Sequence, residues 1–209
     1  MRSAAFLRIK HKEYTMTDPA TRHPRVLSAL TIVRDRFEFS HSSAIRSVAM
    51  LNVIQDSEEG ARFALHHHTF YRTTPRVAIL EGLAERVSRD ATLIARSPRI
   101  LEHALRHIKV TGQPLPPADL QLLQRLRDDV KILPLECRPA ALDEIGAAFA
   151  LTRAGPGSSL LAQCRRAPEE AQCLWLSFLW TACRRTDRTA LTSAWQAWSA
   201  LQRARPIPF

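Results

Sequence analysis

Glycine is scarce in this chain, with six residues among 209. No Gly-rich loop follows a strand in the way a phosphate cradle needs. The nearest candidate, Gly155-Pro156-Gly157-Ser158-Ser159, follows a helical segment and reads as a loop that caps one helix and starts the next. Lysine is scarce too. Of 30 Lys and Arg residues only Lys10, Lys12, Lys109 and Lys131 are lysines, against a net charge of +10. The planar guanidinium suits bidentate contact with phosphate or carboxylate, yet a GC-rich genome gives the same bias. The charge alone implies attraction to acidic partners and nucleic acid without naming one.

Cysteine is also sparse. Cys137, Cys164, Cys173 and Cys183 form no disulfide framework in a chain of this length and contain no C-x-x-C pair. Cys173 and Cys183 lie in strongly apolar sequence and read as small buried hydrophobes. Long apolar runs are missing. The longest, Cys173–Cys183, is about half of what a membrane span requires. The opening Met1–Tyr14 carries only the short apolar stretch Ala4–Leu7 before Arg8, Lys10, His11 and Lys12, which is not a secretory pattern. A reducing, cytoplasmic location without a membrane span is the expectation. Met16-Thr17-Asp18-Pro19 resembles an ordinary start, so residues 1–15 are expected to be a disordered or mis-annotated basic extension, with 16–209 a single helical domain.

Catalytic signatures are absent as well. There is no G-x-S-x-G elbow, and the adjacent carboxylates Asp128-Asp129 and Glu169-Glu170 fall near helix ends or on wet faces. No catalytic residue, metal ligand or cofactor is assigned, and the chain is expected not to be an enzyme.

Apolar residues make up 45 % of the chain, enough for a substantial core, and Ala, Leu and Arg favour helix. Proline is placed as punctuation: Thr74-Pro75, Ser97-Pro98 and Arg138-Pro139 pair a polar residue with Pro at a first helical position. Val26, Leu30, Val33 and Phe37 recur at helical spacing and predict a helix over 24–38. Ile45, Val48, Leu51 and Ile54 predict another over 42–55, and Ser57-Glu58-Glu59 reads as a cap opening a third to about Tyr71. Further helices are expected near 77–87, 98–110, 117–132, 139–153, 168–185 and 187–204, with a short turn at 91–96 and a segment near 159–166. No alternation of period two and no Asn-Gly or Asp-Gly hairpin signal stands out. The expected fold is therefore all-α, an irregular multi-helix bundle of about eight to ten short helices.

Three groups of residues bear on function. His66-His67-His68, taken as helical, point about 100° apart and cannot converge on one metal, so they read as a polar patch. His103 and His107 share a helical face, but Ala104 stands where a zinc protease needs its Glu. The stretch 86–109 is the strongest hint. Arg86, Arg89, Arg96, Arg99, Arg106 and Lys109 face only Asp90 and Glu102, and with His103 they make a candidate anion- or nucleic-acid-binding surface. Residues 80–97 loosely fit a helix-turn-helix, without the usual turn glycine and with Pro98 closing the second helix early.

The leading expectation is a non-enzymatic helical protein-interaction module: an adaptor, accessory subunit or regulator of a bacterial-type cytosolic assembly, such as a secretion-apparatus accessory protein. It would bind a protein partner or self-associate as a homo-oligomer. The alternative is a nucleic-acid-binding transcriptional regulator using 86–109.

Overall fold

The computed structural model describes residues 25–35, 45–56, 60–71, 74, 78, 82, 92–95, 131–134, 139–155 and 157–204. Five strands come first: β1 (Arg25–Arg34), β2 (Ile45–Asp56), β3 (Gly60–Thr69), β4 (Thr92–Ala95) and β5 (Lys131–Pro134). Three helices with described bounds follow: α1 (Pro139–Ala148), α2 (Leu160–Ala182) and α3 (Arg185–Ala204). The expected all-α helical bundle is thus corrected to a mixed α/β fold. The helices expected at 24–38, 42–55 and 57–71 are strands β1, β2 and β3.

The physical reason lies in burial on both faces. Leu27, Ala29, Val33, Ala49, Leu51 and Val53 enter the core beneath α2. Their neighbours Leu30, Val48 and Met50 are buried as well, and strand alternation sends them to the opposite face. A strand covered on both sides is apolar almost continuously, so a helical subset can be picked from it by eye. The β-branched content of β1 and β2 (Val26, Thr31, Ile32, Val33, Ile45, Val48, Val53, Ile54) is what favours the extended form. On the second face, buried Ser28 donates its hydroxyl to Asn52 Oδ1 at 2.7 Å, so the polar pair costs little there.

The sheet order is β3-β2-β1-β4-β5. β1 pairs antiparallel with β2, and β2 with β3. β4 runs parallel to β1, and β5 parallel to β4. The turn expected at 91–96 is β4 itself. A strand at that place also removes the helix-turn-helix reading of 80–97. Between β2 and β3 the connection is only residues 57–59, and Gly60 follows at φ +81°. Glycine enters that left-handed region without the Cβ penalty. The expected cap at Ser57-Glu58-Glu59 lies outside the described residues.

The helical half agrees better with expectation. α3 matches the helix read at 187–204. The segment near 159–166 and the helix read at 168–185 join into the single α2, opened by Ser159, whose hydroxyl accepts from the Ala162 N–H at 3.2 Å. α1 ends at Ala148, short of the expected 153. There the Leu151 N–H reaches the Gly146 carbonyl at 2.8 Å and the Ala150 N–H reaches Ala147 at 3.3 Å. With Ala150 at φ 54° this is a Schellman ending in which alanine occupies the place usually given to glycine.

α2 is the central layer. Trp175, Phe178 and Leu179 face the sheet core, joined by Leu142 from α1 and by Leu191 and Trp195 from α3. The rings form a chain: Trp175 meets Phe178 at 5.9 Å and Phe63 at 6.4 Å, Phe63 meets Trp198 at 5.7 Å, and Trp195 meets Phe149 edge-on at 5.5 Å. Of these rings Trp175, Trp195 and Phe178 are fully buried, and each contributes roughly 1.5–3 kcal/mol by area removed from water. A clasp beside them ties α1 to α2. Arg153, its side chain only 7 % exposed, bridges Asp143 and Glu170, while the Thr152 N–H bonds Glu169. Among the described residues no helix is long and apolar enough to cross a membrane.

Candidate functional site

Strand β3 gathers the polar features, and its sequence explains why. Ala61, Phe63 and Leu65 are half-buried and alternate with exposed Arg62, Ala64 and His66, so one side packs on the core while the other is free of it. This is the period-two pattern that the sequence reading overlooked. The β2–β3 ladder runs without a register shift from Asp56↔Gly60 to Ser47↔Thr69. Within a strand the three histidines divide. His67 turns to the helix side, while His66 and His68 share the other.

On the helix side, His67 Nε2 lies 2.9 Å from the hydroxyl of Ser47, which is fully buried. The ring also makes a hydrogen bond to the Cys164 backbone. That bond has a local cause. Pro168 sits inside α2 without an N–H, so the carbonyl four residues earlier, that of Cys164, loses its helical donor. A carbonyl only accepts, so the imidazole donates to it and, when neutral, accepts from Ser47. Partial burial lowers the His67 pKa, the Cys164 bond opposes the shift, and nearby His68 adds to it.

Next to this clasp, β1 and β2 slip register between Val33 and Arg34. At that irregularity Arg46 Nη2 meets Asp35 Oδ2 at 3.4 Å, and the Arg46 carbonyl accepts from the Phe70 N–H at 2.8 Å. Burial pushes the Cys164 thiol up, with Arg46 opposing and Asp35 adding. A protonated thiol is a poor nucleophile. Burial raises Cys173 and Cys183 to about 12 each. The His67 cluster is therefore a structural clasp that pins the end of β3 to α2.

On the opposite side, His66 and His68 border a recess of about 10 Å³ whose lining also takes in Val48, Met50, His67, Phe70 and Gly82. His68 and Phe70 stack at a tilt, 4.7 Å between ring centres. Among the described residues no three His, Cys, Asp or Glu side chains gather as a metal set. The candidate surface Arg86, Arg89, Arg96, Arg99, His103, Arg106 and Lys109 lies outside the described residues, apart from the intervening β4, as does the His103–His107 pair. Sequence reading singled out the histidine triplet but, by assuming a helix, assigned it neither the clasp nor the recess.

No protein-family model matches the chain, and no curated protein matches it. Among solved structures it is similar to a crystal structure of the native prototype foamy virus protease-reverse transcriptase, at 11 % identity and a TM-score of 0.34, covering 79 % of this chain and 23 % of that one. A selenomethionine-labelled CSH mutant of the same viral protein aligns at 7 % identity and a TM-score of 0.32, over 82 % of this chain and 22 % of that one. The chain thus spans less than a quarter of the length of those proteins.

Proposed function

We propose that the chain is a non-enzymatic protein-interaction module, an adaptor or accessory subunit, that takes an extended segment of its partner against the outer edge of β3. The observation that supports this is the edge itself. β3 is ten residues long, ends the sheet, and has no partner strand on its outer side among the described residues. Proteins usually blunt such edges with proline, lysine or a bulge. β3 has none of these. Main-chain pairing at an open edge supplies affinity, and the surfaces flanking it read alternate side chains of the incoming strand.

Here one flank is α3, whose Trp198 packs on Phe63 and whose Leu201, a turn further on, is 66 % exposed. The other flank is the His66–His68 recess. The net charge of +10 favours an acidic segment. A cytoplasmic setting and membership of a larger assembly belong to the same proposal. Ala64→Lys places a long charged side chain on the exposed side of the edge, and we expect it to weaken partner binding by at least about tenfold with an unchanged circular-dichroism spectrum. Partner affinity equal to wild type would remove the edge from the interaction.

The same net charge supports a second reading, a nucleic-acid-binding regulator. Fluorescence anisotropy on duplex and single-stranded oligonucleotides separates the two. Selective binding that survives near-physiological salt favours the regulator, whereas binding that vanishes with salt is generic attraction.

A further inference from the structure

The recess beside β3 carries an inference independent of the edge proposal. His66 and His68 are i and i+2 on one strand, so their Cβ atoms stand about 6–7 Å apart on the same face. Met50 is the cross-strand partner of His66, and His68 faces Val48. Directly opposed side chains begin about 5 Å apart and diagonal ones about 7–8 Å, within reach of a shared ion for side chains of this length.

The exposed His66 and His68 and the buried Met50, which is 1 % exposed, line one small hollow together with His67, whose ring is engaged by Ser47. The hollow, at about 10 Å³, has room for one water-sized or ion-sized body. Its floor is apolar, formed by Val48 and Phe70. Histidine at two of three corners suits zinc, copper or nickel, whereas a thioether selects the soft cuprous ion among them. Hard cations such as Mg²⁺ and Ca²⁺ prefer oxygen donors, which this donor set does not offer.

We propose that His66, His68 and the Met50 thioether form a binding site for a single cuprous ion. The ion would sit between the two imidazoles and draw on the sulfur from below, in a three-coordinate arrangement that leaves its outer side open.

The test uses the full chain with accessible thiols alkylated, because Cu(I) is also held by thiolates. Cu(I) is supplied anaerobically against a chromophoric chelator of known affinity. We expect one equivalent to bind. Affinity falls at least about tenfold in His66→Ala and in His68→Ala, and at least about tenfold in Met50→Leu, a swap of similar volume that cores tolerate. A second readout is the methyl resonance of ¹³C-labelled methionine. Of the three methionines, only the Met50 signal shifts, and it saturates at one equivalent. Wild-type affinity in the His66→Ala/His68→Ala double variant would overturn the site. So would a Met50 methyl signal that does not move, or Zn²⁺ binding as tightly as Cu(I) with no effect of Met50→Leu.

Discussion

A single imidazole shows how closely sequence detail and packing are linked in this protein. His67 supplies a hydrogen bond that Pro168 withholds from the Cys164 carbonyl, and it partners a serine with no access to water. The clasp favours neutral histidine, and burial lowers its pKa in the folded state. The unfolded chain titrates near 6.5. The contribution to stability is therefore fully present above that value and is lost as pH falls through the lowered folded value. Thermal melts between pH 7.5 and 5 should show a steeper loss for wild type than for His67→Gln. Glutamine keeps a donor and an acceptor but has no proton to take up. Parallel pH profiles would remove the clasp from the account. The histidine triplet was visible in the sequence, yet its division between two faces was not. That division depends on the strand, and the strand signal was confined to the short alternation of Ala61 to His66.

At the scale of elements, legibility follows burial. α3, with a clear apolar stripe through Leu191, Ala194, Trp195 and Trp198, was readable because only one side of it is covered. β1 and β2 were not, since both faces are buried and the alternation is erased. The spacing of Val26, Leu30 and Val33 fits either period, and only β-branched content argued for a strand. Gly60 was the missed punctuation mark, a hairpin glycine read as part of a helix. Pro168 misled in the other direction, suggesting a break where α2 continues. Its compensation by His67 is measurable by a double-mutant cycle. His67→Ala alone should cost on the order of 1–2 kcal/mol by orphaning buried groups. In a Pro168→Ala background the restored N–H satisfies the Cys164 carbonyl, and the cost of His67→Ala should drop by about 0.5 kcal/mol or more. Strictly additive values would mean that the two residues are unrelated.

Among the described residues a five-stranded mixed sheet carries α2 across one face, with α1 and α3 contributing to the same core. Among the described strands one outer strand, β5, is four residues long and the other, β3, is ten. The long edge, flanked on one side by an aromatic helix face and on the other by the histidine recess, is the surface proposed to receive another chain. Basic composition adds attraction to acidic segments without specifying position. None of this was available from a helical reading, because an open edge exists only once the sheet order is known. The expected basic surface at 86–109 lies outside the described residues apart from β4. Hydrogen exchange followed by mass spectrometry, on the protein alone and with its partner bound, tests the central claim most directly. The outward amides of residues 60–69 should exchange quickly in the free protein and become protected in the complex. Unchanged exchange across 60–69, with protection appearing elsewhere, would contradict the assignment of the β3 edge as the binding site.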